Sequence, residues 1–364
     1  MSKVKLSRRE FMQAGAITAA GLAMSQFLHN QSPAKAIGAT LSTPLPPVRP
    51  TPTAYPVTMP WLPESTLPPN PLLKKMGFSE KDRVLIVHVD DLGMCQSNVE
   101  AFADLTNFGL VSSGSVMMPC AWAPLAAHFA RTHPNADMGV HLTLTSEWEA
   151  NRWRPISTVD PASGLIDADG YMWRDGTATS SRATPEAGLA EMEAQIKRAM
   201  EMGIDITHAD SHQFLVLYPT FSEGYHQLIL KYRLPSILQR KDEAGWRVTY
   251  PGYPDSIYQY LEQGTLAEEE QGIPHVDNAY MIPMEQPEYK MSITKQAIDA
   301  LTPGINVLII HCTKDSPELR AITPDWFGRV ADYNVWMSEE MRDHIKKSGI
   351  TIVGFRAVRD ALRS

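Results

Sequence analysis

The sequence is poor in cysteine, in basic charge and in long apolar runs, and each shortage excludes a class of protein. The 364 residues include 3 cysteines, which are odd in number and far apart, so no disulfide framework is expected. No cysteine pair has the spacing of a zinc finger. The formal net charge of −8 argues against nucleic acid or an anionic membrane surface as a partner. No Gly-rich phosphate fingerprint follows the first predicted strand, which argues against a dinucleotide-binding sheet.

The N-terminal residues have the features of an export signal. Residues 7–12, SRREFM, form a twin-arginine pattern, and a mildly apolar, Ala/Gly-rich run follows at residues 14–24. Ala34 and Ala36 provide the small residues that a signal peptidase requires. The apolar run is too short to span a bilayer, so we expect cleavage and not a stable membrane anchor. The sequence thus predicts a signal peptide over residues 1–36, a twin-arginine export machinery as partner and a periplasmic or secreted protein.

The rest of the chain divides into a proline-rich segment and one large domain. Residues 44–71 hold 11 of the 28 prolines, which predicts an extended linker or strap over residues 37–73. Residues 74–364 are long enough for a single α/β domain with a sizeable core. Short apolar runs alternate there with amphipathic stretches, which predicts parallel strands joined by helices. About seven such units favour a distorted (β/α) barrel of seven to eight parallel strands over an open sheet.

Two parts of the predicted domain depart from this alternation. The segment between the helix expected near residues 222–232 and the helix expected near residues 287–301 has a less regular pattern. Residues 146–184 are long for a loop in a compact domain and rich in Trp, Arg, Asp and Gly, so we expect an insertion at the active face. Its aromatic side chains are expected either to form exposed platforms for sugar rings or to pack the insertion as a lid.

Carboxylates and imidazoles follow the apolar runs at the points where strands should end. Asp90 and Asp91 follow the apolar run at residues 84–89, and two buried like charges require a nearby cation or a shared proton. His141 lies in GVHLTL, His212 closes THADSH, and His311 follows VLII. Each residue alone has a structural explanation, such as a turn or a satisfied core histidine. Together they predict a metal-dependent hydrolytic site at the carboxyl ends of the strands.

Neighbouring polar residues are expected to have supporting or purely structural roles. Asp210 is expected to orient a metal ligand from behind, while His88 and His208 either reach the site or pack beneath it. Glu147 is interpreted as a solvated loop residue or a helix cap. A glycoside hydrolase would need two carboxylates facing each other across a cleft, and adjacent aspartates fit that requirement poorly. Cys312, next to His311, is interpreted as a small buried residue.

The chain resembles the YdjC-like carbohydrate deacetylases, a polysaccharide deacetylase-like family. The family's hallmarks are ADDFG, GxHLxLT, DSH and a late HPG, and this chain has VDDLG at 89–93, GVHLTLT at 139–145, DSH at 210–212 and HCT at 311–313. The resemblance runs from about residue 82 to the C-terminus in the same order. It implies a distorted β/α barrel that holds one divalent metal ion, Mg²⁺ or Zn²⁺.

The resemblance also implies roles for five residues. Asp91, His141 and His212 would bind the metal. Asp90 would act as general base and His311 as general acid, which implies a bell-shaped pH–rate profile. The implied activity is removal of acetyl groups from an acetylated oligo- or polysaccharide. N-acetyl groups are the expected target, and O-acetyl groups are the alternative.

The chain also departs from the family's pattern. Cys312 and Thr313 replace Pro-Gly after the late histidine, and Phe214 and Val216 replace further histidines of the family. The altered neighbours of His311 favour a substrate other than small chito-oligosaccharides. Two other functions stay open: a metal-dependent hydrolase of another ester, amide or phosphoester, and a catalytically silent protein that binds carbohydrate.

Overall fold

The structure is a computed structural model, and it describes residues 65–249, 251–252 and 254–364. Seven strands of the described chain carry the fold: β1 (Arg83–Leu92), β2 (Ser113–Val116), β3 (Met138–Leu142), β4 (Ile206–Ser211), β5 (Asn278–Met281), β6 (Gly304–Ile310) and β7 (Thr351–Ile352). The helices are α1 (Pro71–Lys75), α2 (Gln96–Phe108), α3 (Ala123–Thr132), α4 (Gly176–Arg182), α5 (Pro185–Glu201), α6 (Ser222–Tyr232), α7 (Glu243–Thr249), α8 (Asp255–Glu270), α9 (Lys290–Asp299), α10 (Pro317–Ile322), α11 (Trp326–Trp336), α12 (Glu339–Ser348) and α13 (Phe355–Arg363). Short 3₁₀ turns cover Pro161–Ser163, His212–Leu217 and Pro287–Tyr289.

The strands form one parallel sheet in the order β4-β3-β2-β1-β6-β5, and β7 pairs with the start of β1. The two ends of this order are connected through an extended segment after α6. The backbone N–H of Ala209 donates to the carbonyl of Pro235 at 3.0 Å, and Gln239 forms a parallel bridge with Val276, just before β5. The sheet is therefore a distorted, barrel-like β/α arrangement. The predicted fold class is confirmed.

The alternation of side chains along β1 separates two layers of the core. Leu85, Val87 and Val89 pack outward against the surrounding helices. Val84 and Ile86 face the other way, into a cluster that includes Phe355 of α13 and, from β6, Ile305, Val307 and Ile309. Because neighbouring residues of a strand point to opposite faces, an apolar run of this length is expected where both faces are covered. His88 and Asp90 continue the inward row, so the barrel interior changes from apolar to polar toward the carboxyl end of β1.

The segment with the less regular sequence pattern is structured. It contains α7, α8 and β5, of which α8 is 16 residues long. Helix α8 buries only four of its residues, so its apolar pattern is weak. Strand β5 is only four residues long, and a 3₁₀ turn and α9 follow it. Four residues are too few for the alternation of apolar and polar side chains that marks a strand to be recognised.

The described end of the proline-rich segment is attached to the domain. Thr66 donates from its backbone N–H and its hydroxyl to Asp242 Oδ2, at 2.7 and 2.9 Å. The side-chain amide of Asn70 donates to the carbonyl of His275 at 3.0 Å. The predicted signal peptide over residues 1–36, and residues 37–64 of the predicted strap, lie outside the described residues. None of the described helices combines the length and the apolar character needed to cross a membrane.

Candidate active site

The paired aspartates are placed by an unusual backbone conformation. Consecutive residues of a strand normally point to opposite faces of the sheet, which would separate Asp90 from Asp91. Asp91 has a φ of 63°, in the left-handed region that aspartate tolerates better than most residues. The alternation is broken there, and both carboxylates approach the same imidazole. Nε2 of His141 lies 3.9 Å from Asp90 Oδ2 and 3.4 Å from Asp91 Oδ1.

His141 is held from behind by Asp210. The two residues are direct partners in the register of β3 and β4, and Nδ1 of His141 lies 3.0 Å from Asp210 Oδ1. Burial lowers the pKa of His141, but the charges of Asp210 and Asp90 outweigh this and hold that pKa well above its usual value. Asp210 therefore orients a predicted ligand, as its sequence position suggested.

His212 follows β4 and contacts the same oxygen of Asp91 as His141 does. Its Nδ1 lies 3.1 Å from Asp91 Oδ1, and its Nε2 lies 2.8 Å from Glu147 Oε1. Burial lowers the pKa of His212, while Glu147 and Asp91 raise it to about 9. The interpretation of Glu147 as a solvated loop residue or helix cap is wrong. It is a half-buried partner of His212, and the contact joins residues 65 positions apart, which local sequence cannot reveal.

Arg329 of α11 completes the surroundings of Asp91. Its Nη1 donates to Asp91 Oδ2 at 2.7 Å, and its Nε donates to Asp325 Oδ1 at 2.9 Å. Burial raises the pKa of Asp91, but the Arg329 charge and two imidazole contacts outweigh it and hold that pKa well below its usual range. Arg329 was not identified from the sequence. It lies 238 residues from Asp91, in an amphipathic helix whose local pattern gives no functional signal.

His311 lies just after β6 and faces the paired aspartates. Its Nε2 is 3.9 Å from Asp90 Oδ2, and its backbone N–H donates to Asp332 Oδ2 at 3.1 Å. Burial lowers the pKa of His311, against an opposing effect of the Asp91 charge. Nδ1 of His311 is buried and has no hydrogen-bond partner among the described residues.

His88 and His208 occupy the barrel interior below these residues. Nε2 of His88 lies 2.9 Å from Asp90 Oδ1 and 2.8 Å from Asp210 Oδ2, so this imidazole bridges two carboxylates. His208 is fully buried and stacks on Phe355 at 4.2 Å between ring centroids. Burial and the charge of His88 hold the pKa of His208 well below its usual value. His88 therefore reaches the site, whereas His208 packs beneath it as a neutral core group.

The insertion at residues 146–184 forms one wall of the site. Trp148 and Trp153 are buried, together with Met172, Met117 and Cys120. The ring centroids of Trp148 and Trp153 lie 6.1 Å and 6.5 Å, respectively, from that of His212. These two tryptophans are packing residues, which agrees with a lid packed by its own aromatic side chains and not with exposed platforms. All three cysteines are buried and free, as expected, Cys312 among them.

The five residues selected from the sequence lie together. Single donor atoms of Asp91, His141 and His212 all lie within 4.8 Å of one another, and Asp90 and His311 border this group. Two imidazole nitrogens and one carboxylate oxygen form a donor set suited to a divalent transition metal. In the described chain, two other groups also have donor atoms within 4.8 Å of one another, and both include Asp210. One group is His88, His208 and Asp210, and the other is Asp90, His141 and Asp210. Of the three groups, the Asp91 group is the one made up of the three metal ligands expected from the sequence.

Comparison with known proteins shows which family the chain is similar to. The family model described as YdjC-like protein matches residues 84–347. A carbohydrate deacetylase of Thermus thermophilus is 34% identical over 291 residues, which cover 80% of this chain and 99% of that protein. A chitooligosaccharide deacetylase of Yersinia enterocolitica is 28% identical over 160 residues, which cover 42% of this chain and 60% of that protein.

A solved structure shares the fold. A crystallised protein of Enterococcus faecalis, whose name refers to cellobiose-phosphate cleavage, superposes with a TM-score of 0.62. It is 20% identical, and the match covers 76% of this chain and 99% of that protein. The family model spans all five residues of the site and most of the barrel. The chain belongs to the YdjC-like family.

Proposed function

We propose that this protein is an exported, metal-dependent hydrolase that removes acetyl groups from a carbohydrate, with N-acetyl groups as the expected target. The observation that carries the proposal is the convergence of Asp91, His141 and His212, each held from outside by a charged partner. The names of the relatives in Thermus thermophilus and Yersinia enterocolitica support the substrate class. The twin-arginine pattern at residues 7–12 supports export to the periplasm or beyond.

The donor set fits a divalent metal ion. The inner nitrogens of His141 and His212 and one oxygen of Asp91 face each other, and burial of so many ionisable groups without a cation is costly. Nearby polar atoms, Glu147 Oε2 and His311 Nδ1, are buried without hydrogen-bond partners in the described chain. We propose Zn²⁺ or another divalent ion, Mg²⁺ included, on Asp91, His141 and His212. Such an ion, when bound, supplies an electrophile that acidifies water and polarises an amide carbonyl.

The remaining residues supply the proton transfers. We propose Asp90 as general base, because its carboxylate borders the predicted ligand His141 and its Oδ1 lies 2.9 Å from Nε2 of His88. We propose His311 as general acid, because its Nε2 lies 3.9 Å from Asp90 Oδ2. Asp90 accepts the proton of the attacking water, and the protonated imidazole of His311 donates a proton to the amine nitrogen. Amide cleavage needs this delivery, because an unprotonated amine is a poor leaving group.

The test is acetate release by metal-stripped mature protein reconstituted with Zn²⁺, Mn²⁺, Co²⁺ or Mg²⁺. Acetylated glycans, including N-acetylglucosamine oligomers, are compared with p-nitrophenyl acetate and p-nitrophenyl phosphate. We expect metal-dependent release from a glycan, abolished by Asp91→Ala and by His141→Ala and greatly slowed by Asp90→Asn and by His311→Gln. Undiminished release in both alanine variants would refute the metal mechanism. Hydrolysis of the nitrophenyl substrates alone, or glycan binding without release, would refute the deacetylase.

A further inference from the structure

The two predicted histidine ligands have the same outer environment. His141 directs Nε2 inward, 3.4 Å from Asp91 Oδ1, and its outer Nδ1 contacts Asp210 at 3.0 Å. His212 directs Nδ1 inward, 3.1 Å from the same oxygen, and its outer Nε2 contacts Glu147 at 2.8 Å. Each imidazole thus has its inner nitrogen next to Asp91 and its outer nitrogen next to a second carboxylate.

A bound metal ion would select one tautomer of each ring, and the outer carboxylates fit that tautomer. A neutral imidazole has one N–H and one lone pair, and a carboxylate can only accept a hydrogen bond. An inner nitrogen that gives its lone pair to a metal ion leaves the hydrogen on the outer nitrogen, where Asp210 or Glu147 can accept it. Asp210 fixes the ring of His141 in this way, and Glu147 fixes the ring of His212.

The two carboxylates come from different parts of the fold. Asp210 is part of β4 and is fully buried in the barrel. Glu147 belongs to the insertion at residues 146–184. Its neighbour Ser146 donates its backbone N–H to the carbonyl of Trp173 at 2.8 Å, and the hydroxyl of Ser146 accepts a hydrogen bond from the backbone N–H of Trp153 at 3.0 Å. The residues around Glu147 thus connect two distant parts of the insertion to the site.

We propose that Glu147 is a positioning residue of the metal centre, and that it makes metal binding and the seating of the insertion a single coupled event. The proposal depends on the metal site of the proposed function. Glu147 holds the His212 ring with Nδ1 facing the metal site. The hydrogen bond between Glu147 and His212 also connects the first residues of the insertion to the barrel. A metal ion that needs this ring orientation therefore favours the seated insertion, and an unseated insertion weakens the metal site by the same factor.

The experiment measures Co²⁺ affinity from the visible absorption of the bound ion, without substrate. We expect Glu147→Ala to weaken Co²⁺ binding about 10- to 100-fold, because loss of such an outer partner has effects of this size. Glu147→Gln keeps a side-chain oxygen that can accept from Nε2, so it should recover most of the affinity. Glu149→Ala is the matched control, since Glu149 is two residues away with a side chain 90% exposed, and it should bind like the unmodified protein.

A second measurement follows the insertion itself. Limited proteolysis within residues 146–184 should slow on addition of Co²⁺ in the unmodified protein and in Glu149→Ala, but not in Glu147→Ala. Equal Co²⁺ affinity in Glu147→Ala and the unmodified protein would overturn the proposal while leaving the metal site intact. No Co²⁺ binding by the unmodified protein would overturn the metal site and this proposal together.

Discussion

Replacement of Arg329 by methionine tests whether the buried ion pair with Asp91 holds the site together. The Arg329 side chain is 4% exposed and that of Asp91 is 2% exposed. Methionine keeps most of the apolar stem of the arginine but removes the cation that holds the pKa of Asp91 well below its usual range. Asp91 is then left as a buried charge near Asp90, with the imidazoles as its remaining partners.

The expected loss of stability is large for a single substitution. Removal of one partner from a buried ion pair costs about 3–5 kcal/mol, because the other charge stays buried without compensation. For a domain of this size, ~1 kcal/mol corresponds to roughly 2–4 °C, so the melting temperature of the metal-free protein should fall by about 6–20 °C. Urea unfolding of the metal-free Arg329→Met variant measures the free energy directly.

The control is an exposed ion pair of the same kind. Arg174 and Glu149 lie 2.9 Å apart with side chains 42% and 90% exposed, so Arg174→Met should cost no more than about 1 kcal/mol. Adding Asp91→Asn to Arg329→Met removes the stranded charge and should recover about 2 kcal/mol or more of the loss. If Arg329→Met cost no more than Arg174→Met, or if Asp91→Asn recovered nothing, the ion pair would not stabilise the site.

Three further predictions concern residues beneath the site. Asp210→Asn should weaken metal binding about 10- to 100-fold, because the carboxylate behind a predicted ligand loses its charge, and competition with a fluorescent chelator measures the change. Burial lowers the pKa of His88, but hydrogen bonds to its two carboxylate partners raise it from 6.5 to about 9. This stabilisation of the metal-free protein is complete below pH 6.5 and is lost as the pH rises through about 9. Urea unfolding should therefore show a decline that is shallower in His88→Asn, where the raised pKa values of His141 and His212 remain. Gly139→Ala would place a methyl group 2.5 Å from the His208 ring and should cost about 1–3 kcal/mol, whereas Gly264→Ala, with open space around it, should not destabilise. Equal melting temperatures for the two glycine variants would contradict the packing argument.

Much of the fold could be predicted from sequence because its signals are local. The apolar run that becomes β1 and the alternating pattern around His141 are both properties of consecutive residues. Strand β5 and helix α8 were missed for the complementary reason. The strand is short, and the helix buries a narrow stripe, so tertiary packing decides their structure where the local pattern is weak.

The sequence by itself determined which residue types would meet, and the tertiary structure decided how each is held. In a parallel sheet with helical crossovers the carboxyl ends of the strands lie on one side, so residues that follow separate apolar runs must gather there. The contacts of Arg329 with Asp91 and of Glu147 with His212 depend on a helix and an insertion that pack across the barrel, at separations of 238 and 65 residues. No local periodicity records such a pairing. The left-handed backbone at Asp91 likewise exists only because the surrounding structure compensates for its cost.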